Sequence, residues 1–160
     1  MPDLTLTAVY AAASILSATN APNAPKGGYE MAEFAREAHC LAKVIYTEGR
    51  GVHSPRLDQM IADVVVNSTK RWNHTICAEA RKPGRYHGVE GFTAPRGVIE
   101  KNAWLQAVDA ATTKLTYRLN DDWTDGARWF YSGGKRPWWA TKMTVAAAAG
   151  GFKFLAKEER

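Results

Sequence analysis

The stretch HCLAKVIYTEGRG, residues 39 to 51, carries an apolar helical stripe onto a carboxylate and then closes with two glycines. Ala38, Leu41, Ile45 and Glu48 are spaced by three, four and three positions, the repeat of one face of a 3.6-residue helix. Gly49 and Gly51 suit a helix C-terminus, where a left-handed residue without a Cβ is favoured. Glu48 is thus expected in the last turn. There the negative end of the helix dipole and apolar neighbours both disfavour the ionised form and raise the carboxyl pKa. A carboxyl group kept protonated near neutral pH can act as a general acid. The alternative is a glutamate at a frayed helix end, half in solvent.

Other chemistries find less support. His39, His53, His74 and His87 stand in no H-E-x-x-H or H-x-D spacing, so no zinc hydrolase signature is present and no metal or other cofactor is called for. Cys40 falls beside the apolar stripe, where an inert thiol is the usual finding. GGK at 133 to 135 lacks the rest of a phosphate-binding loop. Trp129, Phe130, Tyr131, Trp138 and Trp139 lie within eleven positions and can stack on sugar rings or bases, or fill a core; an alternating strand would send some each way.

The elements that must position these residues can be read coarsely. Leu4 to Ala18 reads as an N-terminal amphipathic helix, because a secretory leader wants a positive segment ahead of its apolar run and only Asp3 is charged there. Residues 19 to 28, TNAPNAPKGG, read as a linker, giving an N-terminal helix and linker over 1–28 and one main domain over 29–160. After the Glu48 helix, Ser54 can cap and Pro55 can start a helix with Leu57, Met60, Ile61, Val64 and Val65 on its apolar face. Asp58 and Asp63 then fall on the solvated side, and Asn67 at the edge of the apolar face, as a substrate ligand or a satisfied structural amide. ICAEA makes a short helical turn, and residues 81 to 97 read as a long exposed loop. Val98 to Leu119 reads as a core helix with Ala103, Trp104, Ala107, Val108, Ala111 and Leu115 inward. RWFYS and GGFKF read as short strands, with a Gly133-Gly134 turn between the aromatic runs. The expected class is α+β, mainly helical, with about four helices and small β elements.

The chain has 160 residues, enough for one core, and no apolar run approaches the ~20 residues of a membrane span. A formal net charge of +5 and a pI near 9.3 imply an acidic partner. Nucleic acid is the obvious acidic partner, but the basic residues are scattered without a reader motif and an anionic cell envelope fits equally well, so no nucleic acid is called for and no stable membrane insertion is expected. Two cysteines, Cys40 and Cys77, can form one bridge in an oxidising compartment or remain separate thiols.

Taken together, these segments resemble the SleB/CwlJ-type cell-wall hydrolases, a family of spore-cortex lytic enzymes and phage endolysins. CLAKVIYTEGRG is similar to that family's C-L-A-x-x-I-Y-x-E-A-R-G, and QMIADVVVNS to its G-Q-x-A-V-A-x-V-V-x-N-R. TIC resembles its T-V-C, WFYSGGKRPWW its x-F-Y-N-P-x-x-x-P-x-W, and GGFKF its I-G-x-H-x-F. Departures are Gly49 for alanine, Val52 for an acidic residue, Ser68 for arginine, and RYHG where the family has a Q-F segment.

The resemblance implies a lysozyme-like fold and cleavage of peptidoglycan glycan strands with Glu48 as the catalytic acid. It also places Cys40 and Cys77 near each other. Asn67, Tyr86, Glu90, Trp129, Tyr131, Trp138 and Trp139 are the candidate substrate contacts. Glu90 is the one plausible second carboxylate; without it, a lytic transglycosylase scheme with a single glutamate is expected. The chain is then expected to be a monomeric phage endolysin acting at the bacterial wall, in the periplasm, and exported through a holin or a similar route. A two-carboxylate muramidase and a non-catalytic peptidoglycan-binding module are the alternatives.

Overall fold

The computed structural model describes residues 4–17, 23, 25, 28–49, 51–52 and 54–157. His53, Arg50 and most of the expected linker lie outside the described residues. Helices α1 (Leu4–Ser17), α2 (Gly28–Glu48), α3 (Pro55–Trp72), α4 (Ile76–Ala80), α5 (His87–Glu90) and α6 (Gly97–Tyr117) precede strands β1 (Trp129–Ser132), β2 (Met143–Ala149) and β3 (Phe152–Lys157). The α+β, mainly helical class is the observed one. One helix exceeds the sequence expectation, α5, which orders part of the long loop; α1, expected as an N-terminal helix, packs on α2 and α6 with Val9 fully buried in the common core.

Helix α2 carries the anticipated stripe, with Ala38, Leu41 and Ile45 fully buried. Its first exit bond is made by Gly49 N–H to Ile45 O at 3.0 Å, and Gly51 has a φ of 85°, the left-handed turn that glycine accepts at least cost. Glu48 is the last helical residue. Helix α3 starts as the sequence implies: the Ser54 side chain accepts from Leu57 N–H, and Pro55 stands in the first turn.

The solvated side expected on α3 does not exist. Every residue from Leu57 to Val66 is buried, including Asp58 at 2% exposure and Asp63 at 3%. Because α2, α4 and α6 pack around it, α3 is the central helix and presents no broad face to water. Asp63 is held there by charge pairing and hydrogen bonding: Lys114 Nζ donates to Oδ1 and Trp123 N–H donates to Oδ2 at 2.8 Å.

The sheet has the order β1-β3-β2, all antiparallel. Trp129 pairs with Leu155 and Ser132 with Phe152, while β2 and β3 form a hairpin through Gly150 and Gly151, whose φ values are 55° and 81°. The register shifts between Val145 and Ala147. Strand β2, MTVAAAA, carries little strand signal, since alanine favours helix; it forms because β3 offers it a ladder.

Cys40 and Cys77 form a disulfide between α2 and α4, with Cα atoms 5.2 Å apart and a sequence separation of 37. Glu37 Oε2 accepts from Cys77 N–H at 3.1 Å, so the same junction is held twice. Reduction of the folded protein is expected to lower its stability by about 2–5 kcal/mol. The urea midpoint with and without dithiothreitol measures this, and an unchanged midpoint would deny the bridge a stabilising role.

Candidate functional site

Glu48 is half-buried and opens on a cleft of about 500 Å³. Its lining is largely aromatic, with Tyr86, Trp129, Phe130 and Trp139, and Met143 and Val64 of α3 add apolar surface. Arg85 and Gly84 complete the lining, and among the described lining residues Glu48 is the only acid.

The arginine and tyrosine are fixed from below by Glu79, which is fully buried on α4. Its Oε1 accepts from Arg85 Nε at 2.8 Å and from the Tyr86 hydroxyl at 3.1 Å, while His74 Nε2 contacts Oε2 at 2.7 Å. Arg85 Nη2 also donates to Ser68 Oγ at 3.0 Å and to the Arg128 carbonyl. Burial alone would push the Glu79 carboxyl up. The hydrogen bond and charge of Arg85, followed by His74 and Tyr86, outweigh it and hold the group below its ordinary value of 4.5. Burial pushes the Tyr86 hydroxyl far above its ordinary value, so it stays a neutral donor.

The tryptophan wall depends on α3. Asn67 Nδ2 donates to Ala127 O and Asp122 Oδ2, each at 3.1 Å. Asp122 in turn accepts from the N–H groups of Thr124 at 2.8 Å and Gly126 at 2.6 Å. Burial raises the Asp122 carboxyl, but bonds from Thr124, Gly126 and Asn67 prevail and lower it. This knot fixes the loop that leads into Trp129. Arg136 does the same for the far wall, donating to the carbonyls of Ala140 and Met143 on either side of the turn after Trp139.

Of the residues singled out in the sequence, Glu48, Tyr86, Trp129 and Trp139 come together. Asn67 is engaged with the loop as a structural amide and lies outside the cleft lining. Glu90 is exposed and accepts from Gly84 N–H at 3.2 Å, steadying the loop rather than facing Glu48 from the lining. Tyr131 and Trp138, the latter 85% exposed, also lie outside it. Of the aromatic cluster, Phe130 packs on Phe152 and Phe154, so core and cleft share it. Sequence reasoning missed Arg85 and Met143 as cleft residues and named Phe130 only as one of the aromatic cluster. An arginine beside a tyrosine in a glycine- and proline-rich loop was the available signal for the first.

A larger hollow of about 870 Å³ lies between α3 and α6, where Arg56, Asp58, Asp109 and Arg118 mix both signs of charge. Asp58 is almost wholly buried, and the hollow lacks the convergent aromatic wall, so the Glu48 cleft is the better candidate. No family model, curated protein or solved structure matches the chain.

The site generates two predictions. A Cβ on Gly88 would stand 2.5 Å from Thr47 Cβ, next to Glu48, so Gly88→Ala is expected to force α5 from α2 at a cost of about 1–3 kcal/mol. An unaltered urea midpoint would refute that contact. The second concerns acid. Because the folded-state pKa of Glu79 is depressed, its contribution is present above about pH 4.5, the unfolded value, and is lost as pH falls through the folded value. Urea midpoints from pH 7 to 3 should fall for the wild type. Glu79→Gln should be weaker by about 3–5 kcal/mol at pH 7 and less sensitive to acid; an equal slope would remove Glu79 from the account.

Proposed function

We propose that this protein cleaves the glycan strands of bacterial peptidoglycan between N-acetylmuramic acid and N-acetylglucosamine, as a lytic transglycosylase with Glu48 as acid and base. One observation carries the proposal: Glu48, at the end of a buried helical stripe, is the sole acid among the described residues lining a cleft walled by aromatic rings. Aromatic faces stack on the C–H faces of sugars, and a lone carboxyl group suits a reaction that needs no second one. The five-segment resemblance to the SleB/CwlJ-type hydrolases points the same way, and a phage endolysin is the biological setting it suggests.

In the proposed reaction the Glu48 carboxyl gives its proton to the glycosidic oxygen, and the bond from that oxygen to C1 of the muramic residue breaks. The leaving N-acetylglucosamine departs with a free hydroxyl. Positive charge spreads over C1 and the ring oxygen. The Glu48 carboxylate then takes the proton from the C6 hydroxyl of the same muramic residue while O6 bonds to C1. The product is a 1,6-anhydro sugar, Glu48 ends protonated, and no water is consumed. Glu79 cannot take part as a nucleophile or base, since both of its oxygens are engaged below the cleft floor.

Digestion of purified walls is expected to yield muropeptides ending in 1,6-anhydro-N-acetylmuramic acid, one water lighter by mass than reducing-end products. Glu48→Gln should reduce release by about 10²–10⁴-fold, because the amide cannot protonate the leaving oxygen. Glu90→Gln should leave it largely intact. Reducing-end products with loss of activity in Glu90→Gln would move the assignment to a two-carboxylate muramidase. Wall binding without any release, equal in wild type and Glu48→Gln, would make the protein a binding module.

A further inference from the structure

Beyond the cleft, Trp129 continues into a strip of rings and cations. Trp72, at the end of α3, meets Trp129 edge-on with centroids 6.1 Å apart and is 40% exposed. His74 stacks on one face of Trp72 at 6.2 Å, and its contact with Glu79 anchors that stack to the buried network. Lys82 Nζ stands 4.6 Å from the Trp72 ring centre, Arg85 stands 5.8 Å from Trp72 and 5.6 Å from Trp129, and Arg128 and Lys157 stand 5.2 and 5.4 Å from Trp129. Segments distant in sequence thus place four cations on two indoles.

Among the described residues the charge there is unbalanced. Arg85 is paired with Glu79, but among the described residues Lys82, Arg128 and Lys157 make no salt bridge. Like charges gathered this closely repel one another, and exposed cation–π contacts offset little of that repulsion. Such an arrangement is poised for an anion. A ligand that suits it has flat C–H faces for the indoles and carboxylates for the ammonium groups.

We infer that this strip is a subsite for the peptide-bearing part of the glycan strand held in the Glu48 cleft, with a sugar ring on Trp72 and stem-peptide carboxylates on Lys82 and Lys157. The inference rests on the glycan reading above. Trp129 belongs to both cleft and strip, so one continuous polymer spans them. Neither Lys82, Lys157 nor Trp72 lines the cleft, which separates recognition on the strip from the chemistry assigned to Glu48.

The test uses the full chain carrying Glu48→Gln, which prevents turnover, and measures binding to soluble glycan strands with intact stem peptides and to strands stripped of them by an amidase. Adding Lys82→Ala and Lys157→Ala together should weaken binding to peptide-bearing strands roughly three- to tenfold, as expected for two exposed charge contacts. Binding to stripped strands should stay within about twofold. Arginine at both positions should restore affinity, and raised salt should weaken peptide-bearing strands more than stripped ones, which keep only the lactyl carboxylates that the amidase frees. Trp72→Ala should weaken both ligands. Equal affinities of the lysine variant and its parent for peptide-bearing strands, or equal losses on both strands, would overturn the subsite while leaving the glycan reading intact. Tighter binding of single-stranded DNA than of peptide-bearing strands would also overturn it, in favour of a nucleic-acid surface. Failure of the parent to bind either strand would sink both readings together.

Discussion

A carboxylate with no exposure to water must be surrounded by donors or it will not stay ionised, and Glu79 meets that condition with three side chains drawn from two sides. The consequence spreads outward. Arg85 and Tyr86 are fixed as cleft residues because their polar ends are consumed by Glu79, leaving the guanidinium edge and the ring to shape the cleft. Arg85 also reaches Ser68 on α3 and the carbonyl just before β1, so one ion pair ties α4, α3, the long loop and the sheet. The nearby disulfide fixes α4 to α2 from the other side, which sets the distance between this network and the helix carrying Glu48.

The second constraint is that α3 runs through the middle of the protein with polar groups on it. Asp63 and Asn67, one turn apart, both hold the segment between α6 and β1: the first through Lys114 and Trp123, the second through Asp122 and Ala127. Removing one partner of such a set would leave the other buried without compensation, a larger loss than the set contributes when intact. These residues act on the cleft through position. They deliver Trp129 and Phe130 to it without touching what the cleft would hold.

What the sequence disclosed and what it hid follow from the range of the interactions. The Ala38–Leu41–Ile45–Glu48 stripe, the Ser54 cap and the inward face of α6 are local patterns, and each is present. The Asp63–Lys114 pair spans 51 residues and the Arg85–Arg128 contact spans 43, so no window of sequence contains both partners. Asp58 and Asp63 were assigned to solvent on the same local logic that placed Glu48 correctly; the rule fails on a helix surrounded on all sides. Strand β2 was hidden for a related reason, as its alanines become a strand only through pairing with β3. Asn67 stood at the margin of an apolar face, and only the loop arriving 55 to 60 residues later decided between its two readings.

The two glutamates stand differently to the cleft: Glu79 is fully buried and outside its lining, whereas Glu48 is half-buried and part of it. Glu79 has its oxygens filled by a guanidinium, a phenol and an imidazole, which favour the charged form and tie it in place. A group so satisfied neither releases nor takes up a proton readily near neutral pH, and a nucleophilic attack would have to break every one of those bonds. Among the described residues the carboxyl group that lines the cleft is the half-buried one at the end of α2, and the proposed function gives it the proton transfer. For the reaction proposed, that division is what the scheme requires: one carboxyl group at the opening to handle the proton, and one below the floor that never leaves its partners.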